Sequence, residues 1–217
     1  MDKKGFFITF EGIEGCGKST QAKLLAEAIS PYRKVLLTRE PGGPPISEAI
    51  RTILLNKNFF EMNRLTEVFL YMASRAQHTI QWIIPAIQKG TVVISDRYYD
   101  STSAYQGAAR EIPTEEIKTL NSIATTGLKP DVTYIIDVPV EIGLERLHNV
   151  TKAEDIDRLE SEDIEFHRRV RKGYMKAAED EPERIMVIDG TNEIKEIHKN
   201  IMKDIKEKCN FITGEQE

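Results

Sequence analysis

Five short apolar runs alternate with stretches of helical periodicity, and that alternation leaves the chain few architectures to choose from. The runs cover residues 5–10, 34–38, 91–95, 132–137 and 184–189. They are nearly continuous in Val, Ile, Leu and Phe, as expected of strands covered on both faces. Residues 19–30, 46–55, 64–88, 113–126, 140–149 and 162–179 read as helices, the 64–88 stretch as one long helix with Pro85 near its end. Ile194, Ile197, Ile201 and Ile205 line one face of a last helix. The pattern predicts a three-layer α/β/α fold around a five-stranded parallel sheet. Ligands of such sheets bind beyond the carboxyl ends of the strands. The unusual residues cluster there, at 11–19, 39–43, 96–99 and 189–190.

A chain of 217 residues suits one domain, taken here as 1–217. Its net charge is −5, so no global basic field draws it to nucleic acid or membrane. The cluster from His167 to Lys172 is basic, but Glu162, Asp163 and Glu165 sit beside it, which makes a solvated helix face. Cys16 and Cys209 are too few for a disulfide framework, which points to a reducing compartment. The apolar run at 6–10 is too short for a signal peptide or a membrane span, so a cytoplasmic location is expected.

Gly12-Ile13-Glu14-Gly15-Cys16-Gly17-Lys18-Ser19, followed by Thr20, matches G-x-x-x-x-G-K-[ST] between a strand and a helix. The glycines let backbone N–H groups curl around an anion, and the helix start adds its positive end. Lys18 can reach the β- and γ-phosphates of ATP, and Ser19 can ligate Mg²⁺. Gly15 brings no side-chain cation to the loop. Glu14 is unexpected beside a polyphosphate. Either it points to solvent, or it accepts a hydrogen bond from a hydroxyl of a second substrate. Cys16 reads as a small filler.

Further segments carry a resemblance. They are residues 10–20 around the loop, 38–43 (T-R-E-P-G-G), 71–75 (Y-M-A-S-R), 95–98 (S-D-R-Y), 100–107 (D-S-T-S-A-Y-Q-G), 130–131 (P-D) and 157–159 (D-R-L). Over nearly its whole length the chain resembles the thymidylate kinases, nucleoside monophosphate kinases of the P-loop NTPase fold. The resemblance implies transfer of the γ-phosphoryl group of ATP to thymidine monophosphate, giving thymidine diphosphate, with Mg²⁺ held by Ser19 and Asp96. It implies that Tyr71 lies against the thymine face, that Arg75 and Gln106 read its edge, and that Thr102 contacts the substrate. Arg97 is expected on the acceptor's phosphate, with Arg39 and Arg51 as further phosphate-side cations. Tyr105 is expected to crowd the sugar 2′ position and Glu14 to meet the 3′-hydroxyl. The resemblance also implies a homodimer, for which the 64–88 helix has spare apolar residues such as Phe69 and Trp82.

Two departures stand out. R-E-P-G-G continues with Pro44-Pro45, where the family commonly has Thr. The flap at 146–160, a LID-type segment, is short of arginine, although family members with Gly at the Gly15 position usually draw catalytic cations from it. The candidates are Arg146, Arg158 and Lys152, with His148 a fourth. Lys18, Arg97, Arg158 and Arg146 are therefore the expected catalytic set. Two alternatives stay open: a kinase for another pyrimidine nucleotide, and a P-loop ATPase or switch module. A single methyl group shifts selectivity by only about 1–3 kcal/mol, which leaves thymine against uracil the softest distinction.

Overall fold

The computed structural model describes residues 5–152 and 156–209. Five parallel strands form one sheet: β1 (Phe6–Glu11), β2 (Val35–Arg39), β3 (Val92–Asp96), β4 (Val132–Asp137) and β5 (Ile185–Asp189). Their spatial order is β2-β3-β1-β4-β5, and every neighbouring pair is parallel. β1 is central, and Phe7, Ile8, Phe10, Val92, Val93, Ile94, Tyr134 and Ile136 have no exposed surface. Burial on both faces is why these strands read as continuous apolar runs rather than as alternating ones. The buried hydroxyls of Thr9 and Thr133, 2.7 Å apart, satisfy each other across β1 and β4.

The helices are α1 (Lys18–Ile29), α2 (Pro45–Leu55), α3 (Arg64–His78), α4 (Ile84–Gln88), α5 (Tyr99–Thr102), α6 (Thr114–Thr125), α7 (Val140–Val150), α8 (Ile164–Asp180) and α9 (Ile194–Lys208). The segment expected as one helix over 64–88 is divided. A wider π-helical stretch, Thr79–Ile83, separates α3 from α4. Pro85 has no N–H and its ring crowds the carbonyl four residues back, so the local turn must open. A second π stretch, Ser103–Ala109, continues α5. The sequence offers no helical signal there, because Gly107 and four small residues, Ser103, Ala104, Ala108 and Ala109, blur the periodicity. Pro44 and Pro45 do not break the following helix. Pro44 caps α2 and Pro45 takes its first position, where a missing N–H costs nothing.

The chain moves from β1 outward to β2, returns through β3, and then crosses to β4 on the opposite side of β1. The reversal opens a crevice at the carboxyl end of β1. Among the described residues no helix is long and apolar enough to cross a membrane.

Candidate active site

The crevice is a cleft of about 330 Å³ whose wall includes Lys18, Ser19, Asp96, Arg97, Tyr71 and Gln106. Strand ends deliver Arg39, Asp96 and Arg97, and α2, α3, α5 with its π continuation, and α7 bring the helical lining.

At the end of β1 the chain turns through residues 12–19 into α1. Gly15 (φ 67°) and Gly17 (φ 97°) adopt left-handed conformations that turn successive N–H groups inward. A Cβ on Gly15 would lie 2.0 Å from the carbonyl oxygen of Gly143 in α7, so this position is necessarily bare. Gly17 caps α1 without a side-chain bond, which leaves the first N–H groups of the helix for an anion. Lys18 Nζ donates to the Ile13 carbonyl at 3.2 Å, closing the loop over itself. Ile13 and Cys16 are buried, whereas Thr20 is exposed. Burial pushes the Cys16 thiol up in spite of Lys18, in keeping with a packing role.

The Ser19 hydroxyl donates a short hydrogen bond to Asp96 Oδ2. Asp96 Oδ1 is buried and takes no hydrogen bond. An orphaned carboxylate oxygen beside a hydroxyl at a phosphate loop suits a hard divalent cation that keeps most of its waters. These two residues fit Mg²⁺.

Arg97 follows β3 at φ 75°. Its Nη1 donates to Gly12 O, Ser101 Oγ and Tyr174 OH at 3.0, 3.2 and 2.8 Å. Its Nη2 donates to Glu14 Oε1 at 2.9 Å and Tyr105 OH at 3.0 Å. Glu14 is therefore turned inward, not to solvent. It also accepts a short bond from Tyr105 OH, and its buried Oε2 faces His167 Nδ1 at 3.4 Å. Burial alone would raise the Glu14 pKa, but His167, Arg97 and Lys18 beside it hold the carboxyl well below the usual range. Glu11 behaves oppositely. Burial, reinforced by Asp100, pushes it up to about 7 although Tyr98 N, Ser101 and Tyr174 all donate to it.

The other end of the cleft is walled by Tyr71, Arg75, Thr102 and Gln106. Glu67, Tyr71 and Arg75 are spaced by four on α3 and share one face. Arg75 is 2% exposed, which excludes a surface ion pair. Its Nε donates to Glu40 at 2.7 Å, Nη1 to Thr102 Oγ1 at 2.8 Å and Asn121 Oδ1 at 2.9 Å, and Nη2 to Tyr98 O at 3.0 Å. One Nη2 hydrogen is left for the cleft. Glu40 is fixed in turn by His78 Nδ1 at 2.9 Å, and His78 Nε2 meets Thr38 Oγ1 at 2.8 Å. At the rim, Arg39 pairs with Glu48 at 2.9 Å and Arg51 donates to Pro41 O at 2.8 Å.

Two expected catalytic cations are placed elsewhere. Arg158 does not line the cleft. It is 5% exposed, with Nη1 2.6 Å from Glu67 Oε2 and Nε donating to Leu54 O at 2.9 Å. The buried Glu67 carboxylate attracts it away from any transferring group. Arg146 donates to Gly190 O at 3.0 Å, beside the end of β5 rather than at Lys18. Lys152 is exposed, and residues 153–155 of the expected flap lie outside the described residues. The sequence reading also missed Glu67, Glu40, His78 and Tyr174. The spacing of Glu67 ahead of Tyr71 and Arg75 was the available signal.

The thymidylate kinase family model matches residues 10–201. The thymidylate kinase of Sulfurihydrogenibium sp. is 49% identical over 205 residues, which is 94% of this chain and 98% of that protein. That of Pediococcus pentosaceus is 45% identical, covering 92% and 96%. The crystal structure of thymidylate kinase from Ehrlichia chaffeensis superposes with a TM-score of 0.77 at 35% identity, covering 94% of this chain and 99% of that one. With the family model matched over residues 10–201 and relatives at 45–49% identity, and with the phosphate-binding loop sharing one cleft with Tyr71, Arg75 and Gln106, this chain belongs to the thymidylate kinase family.

Proposed function

We propose that the protein transfers the γ-phosphoryl group of ATP to thymidine monophosphate (dTMP), forming thymidine diphosphate. The observation that carries this reading is one cleft lined both by the anion-binding loop and by Tyr71, Arg75 and Gln106. The loop at residues 12–19, with Lys18, grips the polyphosphate. Ser19 and Asp96 would hold Mg²⁺, which supplies positive charge at the phosphate oxygens. Arg97 stands between the two halves and neutralises charge on the acceptor phosphate. That phosphate already carries an anionic oxygen, so positioning and charge neutralisation suffice. Glu14 Oε1 is the edge a 3′-hydroxyl would reach, and the Tyr105 ring narrows the space beside it. Tyr71 gives the base a face, and the spare Nη2 hydrogen of Arg75 suits an acceptor such as thymine O4. Arg39 and Arg51 add positive potential at the mouth.

The whole chain acts as one kinase domain, with 146–160 as the flap that keeps water from the transferring group. Its two cysteines are buried and free, which supports a cytoplasmic setting. α2 and α3 pack on each other and leave Ile46, Ile53, Leu65 and Phe69 exposed, and Ile80 in the following π stretch is exposed too, supporting a homodimer through this side. Light scattering on the purified protein tests that assembly, and a single 24.7 kDa species would exclude it. The kinase reading is tested by an ATP-coupled assay across nucleoside monophosphates. Highest kcat/KM is expected with dTMP, and equal rates with all acceptors would defeat the substrate assignment.

A further inference from the structure

Gln106 is the residue whose chemistry the sequence leaves ambiguous, because a side-chain amide can donate or accept. The structure removes the ambiguity. Gln106 is almost wholly buried at the cleft wall, and its Nε2 donates to Glu67 Oε1 at 2.8 Å. Glu67 has no exposed surface. Its oxygens also accept from Arg110 Nε at 3.3 Å and Nη2 at 3.2 Å, and Oε2 lies 2.6 Å from Arg158 Nη1. Burial opposes its ionisation, but Arg110, Gln106 and Arg158 together hold its carboxyl below the usual range. An ionised carboxylate only accepts. The amide can therefore face Glu67 only through its NH₂ group. Gln106 Oε1, which takes no hydrogen bond from any described residue, is left as the end turned to the cleft.

We propose that Glu67 is a specificity-determining positioning residue: it fixes Gln106 as a hydrogen-bond acceptor toward the base, so that the cleft selects a pyrimidine bearing N3–H and rejects one whose N3 is a bare lone pair. This rests on the reading of the acceptor as dTMP. Thymine and uracil carry N3–H, and cytosine does not. A cytosine ring would set its N3 lone pair against Gln106 Oε1. Turning the amide round to donate would set its oxygen against the Glu67 carboxylate instead. Either arrangement leaves like partial charges facing each other in a buried site, which is costly. Arg110 and Arg158 have a role in this scheme: they keep Glu67 charged and stationary. Uracil and thymine are equivalent at this contact, so the 5-methyl group is read elsewhere.

The test is Glu67→Gln. The new amide can present either end, so Gln106 is no longer locked. Steady-state kinetics with dTMP and deoxycytidine monophosphate (dCMP) give the ratio of the two kcat/KM values. That ratio is expected to fall about 10- to 100-fold, the worth of one charge-assisted hydrogen bond. The loss should appear as a higher KM for dTMP more than as a lower kcat. A purely structural role for Glu67 would lower both substrates together and leave the ratio in place. A folded Glu67→Gln protein whose ratio stays within about threefold of the parent overturns the proposal, being less than half the worth of such a bond. If that variant does not fold, Gln106→Met decides, since it leaves Glu67, Arg110 and Arg158 paired. A fall in the ratio supports the proposal and an unmoved ratio overturns it. A parent enzyme that does not prefer dTMP to dCMP refutes the substrate reading and the proposal with it. A discriminating parent with unmoved variants refutes the proposal alone.

Discussion

Replacing Gly15 by alanine pushes a methyl group into the carbonyl oxygen of Gly143, 2.0 Å from the position its Cβ must occupy. Ordinary contact lies at about 3.5 Å, so the loop or α7 has to move by roughly 1 Å or more. The left-handed backbone adds about 1–2 kcal/mol for any residue with a Cβ, and forced displacement of packed groups adds about 1–3 kcal/mol. Gly17→Ala separates the two effects. Its φ is 97°, yet a Cβ there meets nothing within 4 Å, so strain acts alone. In a chain of this length each kcal/mol is worth about 2–4 °C in Tm. Nucleotide-free Gly15→Ala should thus melt at least about 2 °C below Gly17→Ala, which itself melts below the parent. A loop displaced by about 1 Å should also cost on the order of 10²-fold in kcat/KM for ATP. The checks are differential scanning calorimetry and an ATP titration at saturating dTMP. If Gly15→Ala melts at or above Gly17→Ala, the close packing of the loop on α7 is not what shapes the phosphate nest.

Arg158→Ala leaves Glu67 short of a buried partner and should cost about 3–5 kcal/mol of stability, read by urea unfolding, with a modest change in kcat. A loss of turnover of about 10³-fold at unchanged stability would instead return Arg158 to the transition state. Glu11 and Glu14 flank the same guanidinium but should give opposite pH dependences. Because the folded value of Glu11 is raised from 4.5 to about 7, its stabilising contribution is full below pH 4.5 and lost as pH rises toward 7. Glu11→Gln should therefore gain on the parent between pH 5 and pH 8, by at most about 3 kcal/mol, in thermal melts. Glu14 is depressed, so its contribution is present above 4.5 and lost on acidification. Glu14→Gln should cost most at neutral pH and converge on the parent in acid, and a constant difference would refute the charge-based origin. Tyr105→Ala opens the space beside Glu14 and should raise kcat/KM for ribosylthymine monophosphate relative to dTMP, whereas Tyr105→Phe keeps the ring and should keep the preference. Kinetics with both nucleotides decide between them.

The sheet was legible because parallel strands leave continuous apolar runs, and all five strands fall within a residue of where those runs lie. The phosphate loop was legible for a different reason: its chemistry depends on residues close in sequence. What escaped depends on long-range placement. Nothing in the spacing of Arg158 reveals that Glu67, ninety-one positions earlier, holds it away from the cleft. A flap that is poor in arginine made Arg158 the natural candidate, and only the fold exposes the competing counter-charge. The same holds for Glu40, whose partners Arg75 and His78 lie a full helix away. The π stretch at Ser103–Ala109 was lost because its period is not 3.6 residues, although it carries Tyr105 and Gln106. Pairwise spacing within α3, by contrast, puts Tyr71 and Arg75 on one face, and the same spacing of four, which the sequence reading did not use, extends to Glu67.

Direct passage of the phosphoryl group between two nucleotides bound side by side is tested best by initial rates over a matrix of ATP and dTMP concentrations. If both substrates must occupy the cleft together, reciprocal plots at different fixed dTMP concentrations intersect. Parallel lines, with radiolabel from [γ-³²P]ATP retained on the protein when dTMP is omitted, would mean that a phosphorylated residue carries the group and that the shared cleft is not where transfer occurs.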